Sequence, residues 1–323
     1  MIRRHHFLRG LAAALALGAA MPAALAQSSK PIRLVVPFPA GGATDLFART
    51  LSQKMGERLG TSIVIDNKPG AGGSLGSDMA AKATADGQTL LFTTTSTHSI
   101  GPAIGAKLPY DTVRDFTPIA HVGNAPSIML VPNSSPAKTV KEWIEYAKKN
   151  PGKLNYASSG NGTIVQLTAE LFKAQAGVFV THIPYKGTGL AIPDLVAGQL
   201  DVLFDSLPTG RPNVRDGRLR ALAVTTLKRS PLAPDLPPVA DTLPGFESST
   251  WFGLYGPKGL PAEVVSRVNT AANQALSDPE VRAKLTTLGI EAVTSTPAQF
   301  AKMVADDQGK WKRIIVERKI VNE

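Results

Sequence analysis

The sequence has no cysteine, no long apolar run beyond its first 26 residues and no block of like charges. Without cysteine among its 323 residues, it can form neither disulfides nor thiolate metal sites, and it has no cysteine nucleophile. No later apolar run approaches the roughly 18 residues that a membrane-spanning helix needs. Lysine and arginine are dispersed and not interleaved with aromatic residues, so nucleic-acid binding is not expected.

The first 26 residues have the pattern of a signal peptide. Three arginines give a basic start, and the apolar run 11–20 is too short to span a bilayer comfortably. Ala24-Leu25-Ala26 is the small-x-small pattern of a signal peptidase site. We expect export to the periplasm with cleavage after Ala26; a short membrane anchor is the alternative. The export route, general secretory or twin-arginine, stays open, because two residues separate Arg4 from Phe7 where the twin-arginine motif expects one.

The remaining 297 residues have room for one large domain or two medium ones. The whole chain carries a formal net charge of +10, and loss of the three leader arginines leaves +7. A net positive charge of this size suits an anionic ligand or an anionic membrane surface.

Hydrophobic periodicity indicates an α/β protein. A β-branched strand, Ile32–Val36, leads through prolines and glycines into a helix from about Thr44. Phe47, Leu51 and later apolar residues recur every four positions, which gives this helix one buried face. The order strand, glycine turn, helix, strand then repeats, and this repetition predicts a parallel sheet with helices on its faces.

A second unit of the same kind begins near residue 125. Two strand–proline–helix segments, at 128–132 and 249–261, resemble each other, and we interpret them as paired crossing points between two lobes. The predicted organisation is residues 27–125 and 250–323 in lobe 1 and residues 126–249 in lobe 2. A cleft between lobes is a favoured place for a small ligand.

Two segments combine glycines with a helix start that follows a strand, namely 37–45 and 156–163. Helix starts present unpaired backbone N–H groups and the positive end of the helix dipole, so they bind anions without a charged side chain. The alternative is that both are ordinary strand-to-helix turns. A third glycine turn, 69–73, matches neither a phosphate loop nor a dinucleotide fingerprint, and we expect it to be structural.

Polar residues at two further strand ends are candidate ligand contacts. The segment 93–98 contains Thr94, Ser96 and His98 just after a strand, where open α/β sheets bind ligands. Asp205 ends another strand and could hold a ligand amine or order a water; a turn-forming role is the alternative. Enzyme signatures are lacking, because Ser158 and Ser159 have no Gly-x-Ser-x-Gly elbow and the three histidines after residue 26 lack metal-site spacing. We therefore expect no catalysis, metal or cofactor.

The chain resembles the extracytoplasmic solute-binding components of tripartite tricarboxylate transporters, the Bug family, from the signal peptide to the C-terminal helix. The segments that carry the resemblance keep the family's order and spacing: 37–45, 67–73, 156–163, 182–187, 204–208, 219–225 with 228–231, and 251–254. The resemblance implies a two-lobed type II periplasmic binding fold, each lobe a mixed, mostly parallel sheet flanked by helices.

By resemblance, the two glycine segments hold one ligand carboxylate, partly through bridging waters. The implied contacts are Ala40, Gly41, Gly42 and Asp45 from lobe 1, with Ser159, Gly160, Asn161, Gly162, Thr163 and Asp205 from lobe 2. Two residues depart from the family pattern: Ala40 replaces a frequent proline or glycine, and Ser206 a frequent asparagine. Both leave the identity of the ligand open.

The leading functional hypothesis is a monomeric receptor that delivers an organic carboxylate to a membrane permease. The acid could be a dicarboxylate, a tricarboxylate, an acidic amino acid or an aromatic acid. One alternative is a sensor module that presents its ligand to a membrane signalling kinase. Another is a hydrolase or isomerase that uses Ser158, Ser159 or His98, for which the sequence lacks a base–nucleophile spacing.

Overall fold

The computed structural model describes residues 30–320, so the expected signal peptide and cleavage site lie outside the described residues. The strands are β1 Ile32–Val36, β2 Ile63–Asn67, β3 Thr89–Thr94, β4 Phe116–Pro132, β5 Asn155–Ser158, β6 Thr181–Pro184, β7 Val202–Ser206, β8 Leu219–Val224, β9 Ser249–Pro257 and β10 Glu291–Ala292. The helices are α1 Ala43–Leu59, α2 Ser74–Ala81, α3 Gly101–Ala103, α4 Val140–Lys149, α5 Ile164–Ala176, α6 Thr188–Val196, α7 Leu207–Arg215, α8 Ala262–Ser277, α9 Pro279–Leu288 and α10 Pro297–Glu317.

Helix α1 illustrates why periodicity predicted these elements. Phe47, Leu51 and Met55 recur every four residues and are buried, so one face of the helix packs on the sheet. The helix ends at Gly60, whose φ of +67° lies in the left-handed region that favours glycine. The predicted helix after β1 is therefore confirmed.

Helices α3, α7 and α9, strand β10 and part of β4 have no counterpart among the predicted elements. Helix α7 carries Pro208 in its first turn and Pro212 inside it, and these prolines interrupt the helical pattern. Proline is tolerated in a first turn because its missing N–H would have no partner there. Helix α9 is capped by Asp278, whose side chain accepts a hydrogen bond from the N–H of Glu280. The first part of β4, residues 116–126, was also not predicted as a strand.

The strands form one continuous ladder in the order β2-β1-β3-β9-β4-β7-β5-β6, with β8 and β10 also pairing with β4. The pairs of β1 with β2 and β3, and of β5 with β6 and β7, are parallel. The long strand β4 pairs antiparallel with β9 through residues 116–126 and with β7 and β8 through 127–132. Strand β4 thus joins the part of the sheet that contains β1, β2, β3 and β9 to the part that contains β5, β6, β7 and β8.

Separate apolar cores lie at the two ends of the ladder. One comprises residues of β1, β3, α1 and α8, and another residues of β5, β7, α4 and α5. Helix α10 joins different clusters, since Phe300 packs beside Trp251 and Tyr255 whereas Trp311 packs with the second core. No helix within residues 30–320 is long and apolar enough to cross a membrane.

Candidate functional site

Three segments that each join a strand to a helix meet around one cavity of about 330 Å³. Because the carboxyl ends of parallel strands lead into these segments, the cavity lies where open α/β sheets bind ligands. The lining residues are Phe38 to Thr44 before and in α1, Ser159, Ile164 and Val165 around the start of α5, Gly187 to Leu190 at the start of α6, and Thr94, Ser96, Asp205, Ser206, Thr209, Thr250 and Phe252.

The polar character of this cavity comes from backbone and hydroxyl groups. The first turns of α1, α5 and α6 contribute to its lining, and first-turn N–H groups have no intrahelical acceptor. The helix dipoles add partial positive charge at the same ends. Among the described residues that line the cavity, Asp205 is the one ionisable side chain, and no lysine, arginine or histidine is present. An anion here would meet N–H and hydroxyl donors, not a cation.

In the first glycine segment, Ala40, Gly41 and Gly42 line the cavity, whereas Asp45 lies behind them. Its carboxylate accepts hydrogen bonds from the backbone N–H of Gly41 at 2.9 Å, from Arg49 Nε at 2.9 Å and from Asn67 Nδ2 at 3.0 Å. Burial pushes the pKa of Asp45 upward, but these three hydrogen bonds outweigh it and hold the pKa below its ordinary value. Asp45 therefore braces the loop that faces the cavity.

The second glycine segment divides between two roles. Ser159 lines the cavity, while Gly160 and Asn161 line a neighbouring cavity of about 290 Å³ that also contains Ser159. Gly162 and Thr163 serve the start of α5: the N–H of Gly162 donates to Gln166 Oε1 at 2.7 Å, and the Thr163 side chain accepts from the N–H of Gln166. The segment thus divides between residues that line a cavity and residues that form the start of α5, and ligand contact by the first group stays a prediction.

The segment after β3 places its hydroxyls, not its histidine, at the cavity. Thr94 and Ser96 line it, and Ser96 Oγ accepts a hydrogen bond from the N–H of Ile164 at 3.1 Å. His98 is fully buried, with its ring stacked 4.2 Å from that of Tyr255. Burial lowers the pKa of His98 to about 3, so its imidazole is neutral. The expected ligand contact at His98 is not supported by this position.

Asp205 lines the cavity and is 1% exposed. One oxygen accepts from the N–H of Ser206 at 2.9 Å, and the other accepts from Thr209 Oγ1 at 2.6 Å. Burial raises the pKa of Asp205 to about 6, although hydrogen bonds from Thr209, Thr188 and Ser206 oppose the rise. A buried carboxylate without a cationic partner favours the protonated form in this way.

Sequence reasoning predicted a helix near residue 188 but did not assign its start, or any residue of β9, to the candidate site. Gly187, Thr188 and Gly189 repeat the signature of the other two segments, glycines flanking a helix start after a strand, so the signal was present. Thr250 and Phe252 lie two residues apart on β9 and so share one face of the sheet. Nothing in the strand pattern distinguished that face from the core.

A serine–histidine pair lies beside the cavity. Ser158 Oγ is 2.6 Å from His182 Nε2, and it also accepts a hydrogen bond from the N–H of Gly160 at 3.1 Å. Ser158 is fully buried, so its oxygen is bonded within the protein and is not presented to a substrate. The pair fixes the beginning of the second glycine segment.

Comparison with known families now joins this geometry to a class of protein. The family model described as "Tripartite tricarboxylate transporter family receptor" matches residues 47–320. The chain belongs to this receptor family. The receptor is 40% identical over 322 residues to the UPF0065 protein in the tcbD-tcbE intergenic region of Pseudomonas sp. (strain P51), an alignment that covers 99% of this chain and 96% of the relative.

Solved structures agree with this assignment. The receptor superposes on the periplasmic binding protein BugD with a TM-score of 0.86 at 33% identity, over 91% of this chain and 99% of that one. Rpa4515 of R. palustris, solved with adipate, gives 0.87 at 34% identity, with coverage of 90% and 98%. MatC of Rhodopseudomonas palustris, solved with bound malate, gives 0.84 at 34% identity, with coverage of 88% and 98%. The predicted Bug-family membership and periplasmic binding fold are confirmed, and the family and fold are those of substrate-binding receptors.

Proposed function

We propose that this receptor captures a small organic carboxylate in the cavity and delivers it to the permease subunits of a tripartite tricarboxylate transporter. The observation that carries the proposal is the convergence of three helix starts on a cavity without a cationic side chain. Helix starts are suited to anions for the reasons given above. Two relatives at 34% identity, solved with adipate and with malate, support a carboxylate ligand.

Capture would involve closure of the two proposed lobes, 27–125 with 250–323 and 126–249. The segments 37–45 and 69–73, both in the proposed lobe 1, each lie close to a residue of the proposed lobe 2. A Cβ on Gly72 would be 2.5 Å from the carbonyl oxygen of Asn161, and a Cβ on Gly187 would be 2.8 Å from Pro39. Such close backbone approach supports a closed arrangement in which glycine is needed. We further propose that the mature receptor works as a monomer in the periplasm after cleavage at Ala26.

A panel of acids tests the proposal directly. The mature protein is expected to gain thermal stability with at least one small carboxylate and not with the matched neutral amide. At about 100 times its dissociation constant, a ligand adds roughly 2.7 kcal/mol to the free energy of unfolding. Differential scanning fluorimetry against mono-, di- and tricarboxylates and their amides measures the shift. Equal shifts with an acid and its amide, or no shift with any acid on protein refolded free of ligand, would contradict carboxylate capture.

Asp205→Asn is expected to stabilise the unliganded protein by about 1–2 kcal/mol at pH 7.5. The pKa of Asp205 is raised from 3.8 to about 6 in the folded state. The folded protein therefore binds more protons than the unfolded chain between these values, and its stability falls as pH rises through them. Asparagine does not ionise, so the variant avoids this fall in stability. Its side chain has only one acceptor oxygen for the groups that donate to Asp205, which limits the gain in free energy of unfolding.

Urea unfolding of both proteins between pH 4 and pH 8 measures this effect. The difference in free energy of unfolding should be smallest near pH 4 and largest above pH 6. Thr209→Val, which removes a donor to the same carboxylate, is a matched control and should destabilise the protein above pH 6. A constant difference across the pH range would show that ionisation of Asp205 is not the cause.

A further inference from the structure

Asp205 is an unexpected residue in a cavity that is proposed to bind an anion. It is the one ionisable side chain among the described residues that line the cavity. Like charges repel strongly in a buried site, because little water screens them, and this repulsion acts over several ångströms without contact. An ionised Asp205 would therefore oppose the entry of a ligand carboxylate, even though the residue itself is only 1% exposed.

The elements around Asp205 bring no opposite charge to it. Strands β4 and β5 and helices α5, α6 and α7 pack against β7. The residue of β4 that pairs with Asp205 is Ile128, and α6 and α7 contribute hydroxyl groups. No charged or titratable side chain of the described residues acts on the Asp205 carboxyl group. Hydrogen bonds alone therefore stabilise its negative charge.

The hydroxyl groups that donate to Asp205 also line the cavity. Thr209 Oγ1 lies 2.6 Å from one oxygen of the carboxyl group, and the Thr188 side chain donates to it as well. While Asp205 is ionised, these hydroxyl protons point to it, because a carboxylate only accepts hydrogen bonds. A protonated Asp205 can instead donate to one of the hydroxyl oxygens, and the proton of that hydroxyl becomes available to a ligand anion. Protonation thus removes a negative charge and supplies a donor.

We infer that the cavity binds a proton together with its carboxylate ligand, and that Asp205 holds this proton in the complex. The inference rests on the proposed function and adds the regulation of the same site by pH. A receptor with ionised Asp205 takes up one ligand anion and one proton from solvent for each complex that forms. The entry of the anion then adds no unbalanced charge to the cavity, so no cationic side chain is needed.

The affinity for the acid should consequently fall as pH rises. In the free protein the pKa of Asp205 is about 6, and a bound anion raises it further, because repulsion disfavours the ionised form. Between the pKa of the free protein and that of the complex, the complex holds more protons, so alkaline conditions favour dissociation. We expect the fall in affinity to approach tenfold per pH unit between pH 6.5 and pH 8, where one proton is taken up.

Isothermal titration calorimetry at pH 7.5 measures the proton directly. Titrations in triethanolamine and in Tris, two buffers without anionic groups, differ in apparent binding enthalpy in proportion to the protons taken up. The probes are malate, adipate, benzoate and the acid that gives the largest thermal shift. We expect uptake of close to one proton per bound acid at pH 7.5, and an affinity at least tenfold higher at pH 6.5 than at pH 8.

Asp205→Asn tests whether this residue holds the proton, because asparagine resembles the protonated acid in shape and charge. The variant should bind the acid without proton uptake, with equal affinity at pH 6.5 and pH 8, and more tightly than the wild type at pH 8. Asp201→Asn is the matched control. Burial also raises the pKa of Asp201, whose carboxylate accepts from the N–H of Asn155 at 2.8 Å, but Asp201 is not among the residues that line the cavity. That variant should keep the proton uptake and the pH dependence of the wild type.

The outcomes separate this inference from the proposed function. Wild-type protein that binds an acid without proton uptake overturns the inference and leaves carboxylate capture in place. Proton uptake that persists in Asp205→Asn, or weaker binding by that variant than by the wild type at pH 8, overturns it as well. Wild-type protein that binds none of the probes and none of the wider acid panel overturns the proposed function, and the inference with it.

Discussion

Gly189→Asp is expected to lower the affinity for a carboxylate ligand about a hundredfold while leaving the protein folded. Gly189 is the second residue of α6 and lines the cavity. No heavy atom lies within 4 Å of the place its Cβ would occupy, and it has no positive φ, so a side chain fits there without strain. Two negative charges about 5 Å apart, at an effective dielectric constant near 20, repel by about 3 kcal/mol, which corresponds to roughly a hundredfold in affinity.

Gly189→Asn is the matched control for this change. Asparagine has nearly the same size as aspartate but carries no charge, so we expect it to cost affinity much less. Calorimetric titration with the acid that gives the largest thermal shift compares the three proteins. An acidic residue in the first turn of a helix is favourable, so the melting temperature of Gly189→Asp should not fall. Equal affinity of the aspartate and asparagine variants would mean that the ligand anion lies far from the start of α6.

Gly253→Ala is expected to destabilise the protein by about 3 kcal/mol, near the upper end of the usual cost of overpacking. A Cβ at this position of β9 would lie 2.1 Å from Cζ of Phe300. Phe300 is fully buried and lies between the rings of Trp251 and Tyr255, at centroid distances of 5.6 and 4.8 Å. Its ring therefore has little room to move, and either β9 or α10 must shift.

Urea unfolding measures this loss, and two further variants identify its cause. Gly309→Ala in the exposed part of α10 meets no atom within 4 Å and should gain about 1 kcal/mol from helix propensity. Phe300→Leu in the Gly253→Ala background removes the clashing ring atoms and should recover part of the lost stability. A Gly253→Ala protein as stable as the wild type would show that the β9–α10 contact is looser than the structure has it.

Local patterns in the sequence predicted most of the elements, because single helices and strands depend on short-range periodicity and punctuation. The helix that buries Phe47, Leu51 and Met55 is one such case. The patterns could not show that β4 continues from residue 116 to residue 132, since pairing with β9 on one side and β7 on the other is a long-range property. The lobe boundaries at 125/126 and 249/250 stay predictions, and the first falls inside this continuous strand.

The candidate site was predictable where chemistry follows local geometry. Ala40, Gly41 and Gly42 were identified from glycines at a helix start, and the structure places them on the cavity wall. His98 was chosen for its position after a strand, but it is buried among the rings of Phe116 and Tyr255. Those rings come from distant parts of the chain, so nothing in the local sequence indicated this burial. Thr250 was missed because a polar residue on a strand gives no sign of which wall it will join.

The proposed recognition through main-chain donors has a consequence for how such receptors diversify. A side chain that binds an anion can be lost by one mutation, whereas the N–H groups at the start of α1, α5 and α6 remain whatever residues occupy those positions, proline excepted. Substitutions at Val165, Leu190 or Phe252 would reshape the apolar wall and leave the anion donors in place. After gene duplication, one copy of such a receptor could therefore evolve specificity for a different acid through a few mutations, while its main-chain groups continue to bind the carboxylate.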